Sequence, residues 1–150
     1  MDSAKHKYLL SRVIYFSILL LIIFISCNKS DAVVSPDKGN FFQYTAFASS
    51  GTTVAQGWLF MKLQNNLVSG EWETQRIGQA EHIGPQTGRG ALAGGYSGDS
   101  LWVDLQPQMR DNNLLLQGCL KNNTYSGKWI YISFIGPASM GTFTAKEKLW

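Results

Sequence analysis

From Phe41 onward the chain alternates between apolar and polar residues. In "SLWVDLQ", residues 100–106, Leu101, Val103 and Leu105 point one way while Trp102, Asp104 and Gln106 point the other. Period two marks a strand with one buried face. The same alternation runs through "AQGWLFMKL", where Ala55, Gly57, Leu59, Met61 and Leu63 share a face, and through "FTAKEK". Small polar words interrupt these runs at short intervals: "SSGTT", "QNN", "YSGDS", "RDNN", "KNN" and "GPASMG". Such words form turns, and no helical period competes with them. The runs between turns predict eight strands, at 41–49, 53–64, 67–76, 88–96, 100–107, 113–121, 124–135 and 141–148. Short connections favour antiparallel neighbours, and successive hairpins close without leaving an exposed edge. The expected fold is therefore all-β, a single antiparallel, about eight-stranded up-and-down β-barrel over residues 41–150. A β-sandwich is the alternative.

One word recurs. "VSGEW" at 68–72 returns as "YSGKW" at 125–129, and each is followed by a Gly-Pro, at "GPQTGRG" and "GPASMG". Gly70 and Gly127 alternate onto the faces of Trp72 and Trp129. A strand glycine beside a large ring marks a tight bend or a backbone covered by a neighbouring side chain.

The first 26 residues follow another pattern. Lys5, Lys7 and Arg12 precede the uncharged run "VIYFSILLLIIFI", Val13 to Ile25. A basic start, an apolar run of this length and a small residue before a break predict a signal peptide. A membrane-spanning helix is the competing reading, but it needs roughly 20 apolar residues, and Arg12 and Asn28 bound a shorter stretch. "FISC", ending at Cys27, resembles the lipobox of bacterial lipoproteins, with Phe24 in place of the commoner leucine. That resemblance implies a diacylglycerol on the Cys27 thiol, cleavage between Ser26 and Cys27, and acylation of the new amine, as with palmitate. Asn28, where inner-membrane retention in enteric bacteria favours aspartate, makes the outer membrane the expected address within the cell envelope. Residues 27–40, "CNKSDAVVSPDKGN", have the composition of a flexible tether. The expected organisation is thus signal peptide 1–26, lipidated cysteine and tether 27–40, and barrel 41–150.

Removing the signal changes the charge argument. The chain of 150 residues carries a formal +3, but three basic residues and one acid leave with the signal, so the mature part is near neutral. No basic footprint for nucleic acid remains. With Cys27 lipidated, Cys119 has no intramolecular partner, and its place in "LLLQGCL" predicts a buried strand residue.

Catalytic signals are few. His82 is the one histidine beyond the signal, and Glu81 beside it does not supply a positioned partner for acid–base chemistry. Glu71 and Glu73 flank Trp72, so they are expected to be solvated outer charges rather than a glycosidase pair. One histidine, one free cysteine and scattered carboxylates form no metal cluster. "GPQTGRGALAGG" does not open a helix, so it is no phosphate cradle. The chain is expected to be no enzyme and to need no cofactor.

The aromatics carry the functional expectation. By shape and glycine–tryptophan usage the domain resembles the calycin-type barrels, the lipocalin-like and avidin-like proteins. The resemblance implies a small apolar or amphipathic ligand held inside. Trp72, Trp129 and Tyr131 are the expected cavity lining, with His82 and Arg89 of segment 76–89 at its mouth. The second expectation is a protein- or glycan-interaction module of the envelope, acting through the outer wall. The alternation turns Trp102 and Phe60 to that wall, and an exposed ring beside amide side chains can stack on a sugar or seat a partner.

Overall fold

The computed structural model describes residues 39–78, 86–109 and 111–148. The expected signal peptide, Cys27, most of the tether and His82 lie outside these residues. Within them the chain forms eight strands: β1 (Asn40–Ala48), β2 (Thr53–Gln64), β3 (Leu67–Arg76), β4 (Gly88–Ser97), β5 (Ser100–Asp104), β6 (Asn112–Lys121), β7 (Thr124–Ser133) and β8 (Gly136–Glu147). Each pairs antiparallel with the next, and β8 returns to β1, giving a closed barrel in sequence order. Each of the eight strands therefore has a hydrogen-bonded neighbour on both sides along at least part of its length.

The turns follow from local chemistry. Asn65–Asn66 and Asn122–Asn123 join β2 to β3 and β6 to β7, all with φ between 48° and 62°. Two-residue hairpins that match strand twist need left-handed φ at both positions, and asparagine tolerates it. These tight turns, the 98–99 turn and both ends of the barrel chain share one end of the molecule. The C-terminal ends of β1, β3, β5 and β7 share the other, with the turns at 49–52 and 134–135.

The repeat is longer than the shared word. Residues 63–72, "LQNNLVSGEW", and 120–129, "LKNNTYSGKW", agree at the leucine, both asparagines, serine, glycine and tryptophan. The structure repeats the packing as well. Trp72 on β3 lies against Gly90 on β4 and donates its indole N–H to the Leu105 carbonyl just beyond β5. Trp129 on β7 lies against Gly141 on β8 and donates to the Phe47 carbonyl on β1, at 2.8 Å. Each ring crosses one strand over a glycine and anchors on the next. The barrel is two four-stranded halves, β1–β4 and β5–β8, that solve the same packing problem in the same way.

The interior is filled by inward-facing residues of all eight strands, among them Tyr44, Leu59, Leu116 and Phe143. The Phe143 ring stacks on Tyr44 at 5.9 Å and meets Tyr125 edge-on at 4.7 Å, geometries that add to area burial. Both phenols are hydrogen-bonded, Tyr125 to the Leu116 carbonyl and Tyr44 to Gln86 Oε1. Burial pushes both phenols far above their ordinary value. The folded state therefore keeps two protons that the unfolded chain releases above about pH 10, and stability is present below that pH and lost as pH rises. Alkaline unfolding monitored by circular dichroism should steepen above about pH 10. Tyr44→Phe should reduce that steepening.

Three sequence expectations need correction. Cys119 is exposed, because Leu116, Gly118 and Leu120 take the inward positions of β6 and leave the odd residues outside. Strand β7 stops at Ser133, and "GPASMG" begins β8 instead of forming a turn. Pro137 is tolerated there because β1 pairs with β8 only from Gly141 onward, so no ladder partner on that side asks for its missing N–H. The turn itself is Phe134–Ile135, two of the most exposed apolar side chains among the described residues.

Candidate functional site

The expected cavity residues separate when placed in the barrel. Trp72 and Trp129 do face inward, but each keeps only 2% of its surface exposed and has its N–H taken by a carbonyl. A ring lining a hollow would retain accessible surface on that side; these two are packed against their own neighbours. Tyr131 packs half-buried against the core near the rim. Arg89 is exposed and outward, opposite Glu73 in the β3–β4 ladder, so it does not guard the interior. The structure does not bring these residues together as one pocket. Glu71 and Glu73 are exposed on the outer wall.

Gln86 belongs to segment 76–89, expected at the barrel mouth, and it turns inward. It ends the long connection between β3 and β4 and is 0% exposed. Its side-chain carbonyl accepts from Tyr44, and its backbone carbonyl accepts from the Thr74 hydroxyl. The loop thus turns an amide into the barrel mouth. No sequence pattern announces this, since an amide in a Gly-Pro loop ordinarily faces water.

The outer wall holds the more open site. Trp102 on β5 is 53% exposed. One edge of its indole lies on the bare backbone of Gly95 on β4, where a Cβ would stand 2.9 Å from the ring. The other part of the ring borders a groove of about 470 Å³. Around it stand the exposed Leu67, the amides of Asn66 and Gln117, and the hydroxyls of Ser97 and Ser100. The placement follows from register: Gly95 pairs with both Leu67 and Trp102, and Trp102 pairs with Gln117. Four strands thus deliver an aromatic face and a ring of neutral hydrogen-bonding groups to one patch near the tight-turn end. Among the described residues no Asp, Glu, Lys, Arg or His lines the groove.

Aromatics also collect on the β1–β2 wall. Phe41 contacts Trp58 and Phe60 at centroid distances of 5.6 and 4.8 Å, and the Lys62 ammonium lies over the Phe60 ring. Phe60 is half-buried in this cluster and fits the outward placement read from the sequence. A smaller hollow of about 250 Å³ beside Trp58 includes Gln56, Glu73 and Gln75. It is lined by a carboxylate and lacks the exposed, edge-free face of Trp102. Among the described residues no group of three or more His, Cys, Asp or Glu gathers, and no helix is long and apolar enough to cross a membrane.

No protein-family model, curated protein or solved structure matches the chain. The protein is a closed, eight-stranded antiparallel β-barrel with a calycin-compatible architecture, a packed interior and an aromatic groove without charged lining among the described residues.

Proposed function

We propose that the protein is a lipoprotein of the bacterial envelope, anchored through Cys27 at the outer membrane, whose barrel is a non-enzymatic recognition module for a neutral glycan. The observation that carries the binding assignment is the half-exposed Trp102 face set among amides and hydroxyls. A sugar ring offers an apolar face to an indole and hydroxyls to amides around it, and a groove without formal charge selects for an uncharged ligand. The lining also holds no carboxylate or imidazole to act as general acid or base, which supports binding without turnover.

An apolar ligand inside the barrel, the other reading of the fold, has to displace side chains that are already packed and hydrogen-bonded. The outer groove asks for no such rearrangement. The tether enters at β1, at the end of the barrel near which the groove lies. From Cys27 to Asn40 it reaches at most roughly 45 Å when fully extended, which would keep the groove close to the anchoring surface.

Retention of the barrel on isolated envelope polysaccharide measures the binding half of this reading. Trp102→Ala should lower affinity at least about tenfold, as expected for an aromatic anchor, while changing folding stability by no more than about 1 kcal/mol, because half the ring is in solvent. Retention undiminished in Trp102→Ala would remove the groove from the account. The anchoring half is read separately in cells, where Cys27→Ser should move the protein out of the detergent phase.

A further inference from the structure

The outer wall carries an oxygen cluster that the packing leaves incomplete. Asp104 and Gln106 are two residues apart and point outward. The Leu105 N–H to Leu114 carbonyl bond sets Gln106 opposite Asn113 across the hairpin. One Asp104 carboxylate oxygen accepts from the Gln106 backbone N–H and the other from the Asn113 amide nitrogen, both at 2.7 Å. Asn113 is 9% exposed. Its side-chain oxygen, and that of Gln106, are buried and have no hydrogen-bond donor.

This is an excess of acceptors around one negative charge. A buried carbonyl oxygen without a donor is destabilising, and two beside a carboxylate compound the cost. Hydrogen bonds within the cluster do not relieve it, because the Asn113 amide has already turned its donor toward Asp104. A hard cation can satisfy carbonyl oxygens left without a donor beside a carboxylate. The local sequence agrees: residues 104–113, "DLQPQMRDNN", hold six oxygen-bearing side chains, alternating at Asp104, Gln106 and Gln108 before Asp111, Asn112 and Asn113.

The geometry points to a calcium-type cation site formed by Asp104, Gln106 and Asn113, with waters or loop oxygens completing the coordination. Amide oxygens and one carboxylate suit calcium's larger, more flexible shell better than magnesium's strict octahedron. A single formal charge sets the affinity in the range of extracellular modules, about 0.1–1 mM.

Trp102 supplies the direct test, since it shares the outer face of β5 with Asp104 two residues away. Terbium bound at Asp104 should emit on tryptophan excitation, and calcium should displace it. Asp104→Asn, which keeps an acceptor for the Gln106 N–H but removes the charge, should abolish the emission. In the same barrel, calcium at tenfold above its Kd should raise the midpoint of thermal unfolding by about 5 °C, and magnesium at equal concentration by clearly less. Asn113→Ala, which removes a ligand oxygen and leaves the carboxylate charge in place, should weaken terbium binding and serves if Asp104→Asn folds poorly. Absence of sensitised emission with no calcium-dependent shift would overturn the site and assign a water to the two oxygens. Emission that survives both substitutions would place the metal elsewhere and overturn it equally.

Discussion

Trp129→Ala should cost the barrel about 3–5 kcal/mol, the range for truncating a large buried ring. The change removes the bridge from β7 over Gly141 to the Phe47 carbonyl. Since Gly141 has no side chain, nothing adjacent can collapse into the gap, and the Phe47 carbonyl loses its indole donor. Against a total stability of about 5–15 kcal/mol for an ordinary domain, this is a fifth or more of what holds the fold. Urea denaturation measures it as a lowered midpoint at constant slope. A loss below about 1 kcal/mol would indicate that the ring lines a hollow and is dispensable to packing.

The reciprocal change is Gly141→Ala, with an expected cost of about 3 kcal/mol, at the upper end for overpacking. An added Cβ would stand 2.1 Å from the Phe47 carbonyl oxygen and 2.6 Å from the indole nitrogen of Trp129. The first neighbour is backbone in a paired strand and cannot step aside. The second is a rigid ring held by a hydrogen bond. The substitution should therefore expel the indole or part β8 from β1. The two changes act on one contact, so the double variant should cost less than their sum. Strict additivity in denaturant unfolding would mean that ring and glycine are independent.

Much of the architecture was legible in the sequence because strand alternation and turn chemistry are both local. The eight segments, their order and the inward placement of Trp72 and Trp129 follow from period two and from words such as "QNN" and "KNN". Errors arose where a local signal is ambiguous without its partner strand. "GPASMG" looks like a turn until β1 is known to end short of it, and Phe134–Ile135 looks like strand because nothing about two apolar residues announces a hairpin tip. The apolar run around Cys119 suggests an inward side chain, yet parity from Leu116 places it outside. The site was less legible than the fold. Trp102 could be read as outward, but not its seat on Gly95, because that contact depends on the register between β4 and β5. The cluster at Asp104 depends on register too, and the burial of Gln86 on a loop path with no sequence code.

Recognition on the wall and recognition in the lumen predict different residues in contact with ligand. Proton–nitrogen correlation spectra of the isotope-labelled barrel, recorded as envelope glycan fractions are added, address both places at once through the tryptophan indole signals. The expected result is movement of the Trp102 indole together with Gln117 and Ser97, while the Trp72 and Trp129 indoles, held by the Leu105 and Phe47 carbonyls, stay fixed. Movement of Trp72 and Trp129 with a stationary Trp102 would contradict the account and return the ligand to the interior.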